Sequence, residues 1–121
     1  MSEKSSLLKE KSFEFALDVI SLYKILSGQK SEYVLSKQLL RSGTSVGANI
    51  REAQNAQSKA DFIYKLSISQ KECDETIYWL ELLFHSEFLG EDEFNELTHK
   101  ATSILKMLKS AILTSKQKKD L

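Results

Sequence analysis

The stretch RSGTSVGANI, residues 41–50, decides whether this chain is built around a ligand-binding loop or around helices. It contains two of the four glycines, Gly43 and Gly47, among small polar residues. A phosphate-binding loop needs glycine turns after a strand and a lysine at a set position. Ala48 follows the second glycine and no strand-like run precedes the stretch. We therefore reject a phosphate-binding loop.

A helical ladder passes through the glycines without losing register. Its members recur at steps of four and three residues: Leu35, Leu39, Ser42, Val46, Asn49 and Ala53. Such steps place side chains on one face of a helix. A glycine inside a helix costs about 1 kcal/mol relative to alanine, and close approach of another backbone is the usual compensation. The stretch therefore predicts a helix over about 32–57, packed closely against a neighbour at Gly43 and Gly47.

Three further segments have helical periodicity. The first helix covers about 5–27, has two apolar arcs and ends at Gly28. The third and fourth helices cover about 58–86 and 91–115. The arcs of the first helix are Phe13, Ala16, Leu17 and Ile20, and Phe15, Val19, Leu22 and Leu26. Ser58 and Asp61 resemble a capping pair for the third helix, whose seam is Phe62, Leu66, Ser69, Cys73, Ile77, Leu80 and Phe84. The fourth helix follows a stop at Gly90, with the seam Phe94, Leu97, Ala101, Ile104, Leu108, Ala111 and Ser115.

The links between these helices are short, and the chain has no proline. Proline disrupts helix interiors at a cost of about 3 kcal/mol, so its absence suits a largely helical chain. Short links make sequential helices run antiparallel. The prediction is one all-α domain over 1–121, an antiparallel up-down-up-down four-helix bundle with a frayed polar tail at 116–121.

Composition limits the classes of function. Seventeen basic and seventeen acidic residues give zero net charge, so the whole molecule has no field that favours nucleic acid or anionic membranes. The single cysteine, Cys73, excludes an intrachain disulfide and suits a reducing compartment. The sequence has neither a signal-peptide pattern nor a long apolar run. We expect a cytoplasmic protein without a membrane partner.

Catalytic and metal-binding patterns are incomplete. Glu96 and His99 form one Glu-x-x-His step, but a di-iron bundle needs two such steps and two further glutamates. Cys73 lies on an apolar seam without a basic neighbour to lower its pKa, which favours a core role. We expect no enzyme activity and no cofactor or metal.

A polar stripe borders the apolar seam of the second helix. Its members are Gln38, Arg41, Ser42, Ser45, Asn49 and Glu52. The stripe is a solvated face, a hydrogen-bonded network that fixes helix register, or a binding surface. We favour the network, in which Arg41 pairs with Glu72 or Glu75 of the third helix, because buried polar groups require partners.

Aromatic residues exceed what one narrow seam of the third helix can bury. Tyr78 and Trp79 point to different sides from Leu80 at 100° per residue. They either widen the core or face another subunit. We predict a subunit interface, because large apolar patches are seldom left open on monomers. It comprises Tyr78, Trp79 and the second arc of the first helix, Phe15, Val19, Leu22 and Leu26.

The signature over residues 35–83, LSKQLLRSGTSVGANIREAQNAQSKADFIYKLSISQKECDETIYWLELL, resembles a bacterial family first found encoded within intervening sequences of 23S rRNA genes. The specific pattern falls on Gln38, Leu39, Leu40, Arg41, Ser42, Ser45, Asn49 and Glu52. The resemblance implies an antiparallel four-helix bundle that associates into a ring-like homopentamer. The family also includes an accessory protein of retroelements, which binds nucleic acid through a strongly basic surface. This chain differs from that protein in having zero net charge.

Two classes of function follow. The first is a homo-oligomeric scaffold, a homopentamer by resemblance, that recruits another protein. The second is weak, salt-sensitive nucleic-acid binding, in which oligomerisation gathers small basic patches on one face. The candidate contacts for nucleic acid are Lys37, Arg41, Arg51, Lys59 and Lys65.

Overall fold

The computed structural model describes residues 3–118 and contains four long helices. They are α1 (Glu3–Gly28), α2 (Leu35–Gln54), α3 (Lys59–His85) and α4 (Glu91–Gln117). The all-α prediction is confirmed, and α2 passes through both glycines as an unbroken helix. Residues 116 and 117 of the predicted frayed tail belong to α4, and residues 119–121 lie outside the described part.

Pairs of contacting residues establish the antiparallel arrangement. Gly43 lies against Val19 and Gly47 against Ser12, so α2 runs opposite to α1. The same reversal relates α2 to α3, where Val46 is bonded to Ser69 and Glu52 to Lys65. It also relates α3 to α4, where Cys73 reaches Ala101 and Phe84 stacks on Phe94. Each helix therefore packs between two antiparallel neighbours, and α1 lies diagonally opposite α3.

The core is continuous along the bundle and follows most of the predicted seams of α2, α3 and α4. In α3, Thr76 and Leu83 are buried, whereas the predicted Ile77 and Phe84 are half-buried. Leu39 and Val46 of α2, Leu66 and Leu80 of α3, and Leu108 of α4 are buried. Burial of a leucine or valine side chain contributes roughly 1.5–3 kcal/mol, so these layers supply the main driving force for folding. None of the helices within residues 3–118 is both long and apolar enough to cross a membrane.

The buried face of α1 corrects the predicted subunit interface. The four residues of that arc are at most 2% exposed and belong to the core: Phe15, Val19, Leu22 and Leu26. Phe13 and Leu17, from the other arc, are 54% and 50% exposed. Both arcs are apolar with helical spacing, so periodicity alone cannot tell which one turns inward. In the structure, the arc that contains Val19 packs against the glycine ridge of α2.

Glu32 sets the start of α2, three residues later than predicted. Its carboxylate accepts backbone N–H bonds from Val34, Leu35 and Ser36 at 3.2, 2.8 and 2.7 Å. Burial alone would raise the pKa of Glu32, but these N–H donors outweigh it and lower the pKa below its ordinary value. The side chain thus satisfies the free amides of the first turn, where a negative charge is favoured.

The ends of the other helices follow local rules only in part. Ser58 caps α3, and its hydroxyl accepts the N–H of Asp61 at 3.0 Å, as predicted. Gly90 precedes α4, which begins at Glu91 as predicted. The left-handed conformations after α1 and α3 fall on Ser31 and Glu87, at φ 54° and 68°.

Candidate functional site

The polar stripe of α2 meets α3 through a cluster centred on Arg41. Its Nη1 lies 3.1 Å from Glu72 Oε2, Nη2 contacts Glu75 Oε2, and Nε donates to Gln38 Oε1 at 3.2 Å. Glu75 Oε2 also accepts the indole N–H of Trp79 at 3.0 Å. The guanidinium thus bridges two acids of α3 in the pairing that the sequence predicts.

The exposure of the side chains shows where in the bundle the Arg41 cluster lies. The side chain of Arg41 is 47% exposed, and those of Glu72 and Glu75 are 22% and 38% exposed. The cluster therefore lies at the rim of the α2–α3 contact and not within the core. Ion pairs at that depth contribute modestly to stability, and their main effect is to fix how two helices align.

Beneath the Arg41 cluster, hydroxyl groups connect α2 and α3 inside the core. Ser42 and Thr76 are fully buried, and their oxygens are 2.9 Å apart. Thr76 Oγ1 also lies 2.7 Å from the Glu72 carbonyl. Ser69, likewise buried, donates across the interface to the Val46 carbonyl at 2.8 Å. The described buried side chains have no unsatisfied polar atom.

The remaining stripe residues make mainly local contacts. Ser45 Oγ donates to the Arg41 carbonyl at 2.7 Å, and Asn49 Nδ2 donates to the Ser45 carbonyl at 2.9 Å. Glu52 alone reaches α3, where Lys65 Nζ lies 2.9 Å from its Oε1. That hydrogen bond with Glu52 raises the pKa of Lys65 above its ordinary value. Of the predicted stripe, Arg41, Ser42 and Glu52 cross to α3.

Two glycines bring α1 and α2 together on the other side of α2. A Cβ atom on Gly43 would lie 2.9 Å from both methyl groups of Val19. One on Gly47 would lie 3.3 Å from Ser12 Oγ and 3.4 Å from its carbonyl oxygen. Residues 41–50 therefore form a helical segment with one face against α1 and the other against α3.

The aromatic candidates on α3 differ in exposure. Tyr78 is 53% exposed, and Trp79 is half-buried against the core beside Glu75. Their rings meet edge to face with centroids 5.1 Å apart. Tyr78 therefore remains a candidate for contact with another molecule, whereas Trp79 is engaged within the subunit.

The candidate nucleic-acid contacts do not form an unopposed basic patch. Arg41 and Lys65 are paired with glutamates, and Lys59 Nζ contacts the Lys118 carbonyl. Lys37 and Arg51 remain exposed on α2 with no ion pair to another residue in 3–118. They are fourteen residues apart, which is about 21 Å along a helix.

The side chains that could take part in catalysis or bind metal make structural contacts instead. Cys73 is buried with its Sγ 3.2 Å from the Ala101 carbonyl, and burial, with Asp74 nearby, raises its pKa to about 12. A thiol in that state is a poor nucleophile. Glu96 pairs with Lys100, which also binds Asp18 at 2.8 Å. Residues 3–118 contain no group of three or more potential metal ligands.

Sequence reasoning missed the exposed apolar stripe of α1, defined here as Phe13, Leu17 and Ile20. These residues follow at steps of four and three and so share one outer face. Phe13 and Leu17 are about half exposed, and Ile20 is partly exposed. The sequence showed these residues as one of two apolar arcs, but it did not show which arc faces solvent.

Comparison with known proteins agrees with this architecture. A family model described as "23S rRNA-intervening sequence protein" matches residues 4–110. The chain belongs to this family. The family match includes the whole of α2 and α3 and most of α1 and α4. A search of curated proteins gave no match.

A solved relative of this intervening-sequence family member has the same fold. It is a protein of unknown function from the S23 ribosomal protein family of Bacteroides thetaiotaomicron, 51% identical in sequence. The match covers 91% of this chain and 98% of the relative, with a TM-score of 0.90. Nothing in the family description or the relative's description indicates an enzyme activity.

Proposed function

We propose that this family member is a non-enzymatic, homo-oligomeric interaction module of the cytoplasm. The observation that carries the proposal is the exposed apolar stripe of α1 on a helix whose other arc already fills the core. Phe13 and Leu17 present about half of their surface to solvent. Adjacent exposed apolar side chains on a long helix are typical of contacts with another protein.

A second candidate contact surface lies along α3, on the opposite side of the bundle. Tyr64 and Tyr78 are 61% and 53% exposed and lie about 21 Å apart along the helix, so they are two separate points on this surface. Because α1 and α3 are diagonal neighbours, the α1 stripe and these tyrosines face in different directions. Two different patches on one subunit suit head-to-tail contacts, which close into rings. This arrangement is compatible with the homopentamer implied by the family resemblance.

Light scattering coupled to size-exclusion chromatography tests the proposal. We expect the wild-type chain to elute as an oligomer and both Leu17→Glu and Tyr78→Glu to elute as monomers. Leu113→Glu is the matched control, because Leu113 is 58% exposed on α4, outside both patches. It should leave the oligomer intact. A wild-type monomer across the accessible concentration range would disprove the proposal.

Mixing the two variants tests the head-to-tail arrangement. Leu17→Glu retains the α3 patch and Tyr78→Glu retains the α1 stripe, so one intact interface forms between them. We expect a heterodimer in the mixture. If the stripe instead meets its own copy, mixing will produce no heterodimer, and the interface is isologous.

Nucleic-acid binding is the second candidate, and its support is confined to Lys37 and Arg51. Both are exposed and without ion pairs in residues 3–118. A ring would present this pair of residues once per subunit, and the combined contacts would increase the affinity for nucleic acid. Binding of an RNA or DNA ladder should then fall steeply with salt and be lost in Lys37→Glu/Arg51→Glu. Affinity that does not change with salt would contradict it.

A further inference from the structure

A cavity opens at one end of the bundle, where α1 and α3 begin and α2 and α4 end. Its volume is about 460 Å³. Small-molecule sites in proteins usually have volumes of about 300–1,000 Å³. Side chains from all four helices line it, so it reaches from the surface into the core. The deeper walls are apolar: Leu8, Ile50, Phe62, Leu66, Met107 and Ala111.

The charged residues that line the cavity within 3–118 are all basic. They are Lys4, Lys106 and Lys118, and the lining from this part of the chain has no aspartate or glutamate. All three lysines are exposed, and their amino groups form no ion pair with another residue in 3–118. In a molecule with zero net charge, this is a local concentration of positive charge beside an apolar wall.

Polar groups lie mainly on the α4 side of the cavity. Ser110, Thr114 and Ser115 contribute hydroxyl groups to the lining. Gln54 also lines the cavity, but its Nε2 already donates to the Ser5 carbonyl at 3.1 Å. The cavity therefore combines an apolar interior with a cationic, hydroxyl-bearing margin. A ligand that complements both parts has an apolar chain and one anionic end.

We propose that this cavity binds a single-chain amphipathic anion, namely an acyl carboxylate of medium length. The acyl chain occupies the apolar walls, and the carboxylate lies among Lys4, Lys106 and Lys118. A neutral lipid would leave the lysines unused, and a cationic amphiphile would be repelled by them. This site is distinct from the two surfaces of the proposed oligomer.

Isothermal titration calorimetry with hexanoate, octanoate and decanoate on the full chain tests the ligand class. Each buried methylene should increase affinity about fourfold until the cavity is full. Decanol should bind about tenfold more weakly than decanoate, because it lacks the charge that meets the lysines. Decyltrimethylammonium should bind more weakly still, and added salt should reduce the affinity for decanoate.

Matched variants locate the site. Lys106→Gln should weaken decanoate binding about two- to fivefold and leave decanol unchanged. Lys109→Gln, three residues further along α4 and outside the lining, should change neither. Ser110→Trp should obstruct the cavity and abolish binding, whereas Thr102→Trp, exposed elsewhere on α4, should not.

NMR of methyl-labelled methionine in the wild-type chain gives an independent measurement of binding. It does not depend on whether the tryptophan variants fold. The chain has two methionines, and Met107 lines the cavity. Decanoate should shift the Met107 methyl signal with the same dissociation constant as calorimetry. Absence of saturable binding, equal affinity for decanoate, decanol and the ammonium analogue, or undiminished binding by folded Ser110→Trp would overturn the proposal.

Discussion

At the residue scale, Arg41 shows how a charged side chain of a specific motif can join two helices. Its guanidinium spans Glu72 and Glu75, which are three residues apart on α3. A planar group with several donors can serve two carboxylates at once, which the point charge of a lysine ammonium does less well. Because the cluster is half exposed, its energetic effect is expected to be moderate.

Arg41→Ala should lower the free energy of unfolding by about 1 kcal/mol, because it removes the ion pairs and leaves two glutamates side by side. The melting temperature should fall by about 3–5 °C. Urea unfolding followed by circular dichroism measures the change. Lys37→Ala, on the same helix and unpaired in residues 3–118, should stay within about 0.5 kcal/mol of wild type. An unchanged Arg41→Ala would rule out the network.

Glu32 gives a prediction about pH. Its pKa in the folded chain lies below the ordinary value of 4.5, so its contribution to stability is complete above that pH. The contribution is lost as the pH falls through the lowered folded value. Glu32→Gln should therefore cost about 1 kcal/mol at neutral pH, and this difference should shrink on acidification.

Urea unfolding of wild type and Glu32→Gln at about pH 7 and about pH 4 measures that difference. Glu10→Gln is the control, because Glu10 is exposed on α1. A deficit in Glu32→Gln that stayed constant over this interval would show that the capping carboxylate is not the source.

At the scale of the elements, the pair α1–α2 depends on the absence of a side chain at Gly43. Val19, which faces it, is fully buried and β-branched, so its side chain has little freedom to move away. The stability lost through mid-helix glycine is therefore offset by closer packing of two helices. This contact lies on the apolar arc of α1 that turns inward.

Gly43→Ala should destabilise the fold by about 1–3 kcal/mol, since overpacking against Val19 exceeds the gain of about 1 kcal/mol in helix propensity. Gly28→Ala should be neutral or stabilising, because its new Cβ would meet no side chain or other helix within 4 Å. Thermal and urea unfolding compare the two.

The double variant Val19→Ala/Gly43→Ala separates steric overlap from other effects. Removing the valine methyl groups should make the second substitution less costly than it is in the wild-type background. Strict additivity of the two substitutions would contradict the proposed overlap.

At the scale of the whole molecule, the bundle has more apolar side chains than its core buries. The α1 stripe and the tyrosines of α3 remain exposed after all four helices have packed. Association is the expected outcome, and association couples folding to concentration. The proposed oligomer should therefore be detectable in stability measurements as well as in molecular mass.

The melting temperature of the wild-type chain should rise with protein concentration, because only folded subunits assemble. Leu17→Glu should remove that dependence without unfolding the subunit, since Leu17 is half exposed. Differential scanning calorimetry over a hundredfold concentration range measures it, with Leu113→Glu as the control. A concentration-independent wild-type melting temperature would contradict assembly through α1.

The sequence alone determined the number and type of helices and most of the buried residues of α2, α3 and α4. Regular steps of three and four residues report local geometry, which each segment carries within itself. It also predicted the partners of Arg41, because the antiparallel order of α2 and α3 aligns their charged residues. Local capping chemistry at Ser58 was readable for the same reason.

Only the tertiary structure decided which arc of α1 is buried, where α2 begins, and that a cavity opens at one end. Phe15 and Leu17 have similar hydrophobicity, and their fates depend on the shape of the neighbouring helix surface. The sequence pattern places Glu32 at the start of the helix, whereas in the structure Glu32 precedes α2 and its carboxylate accepts N–H groups of the first turn. The cavity exists because four helix ends fail to fill the space between them, which no single segment encodes.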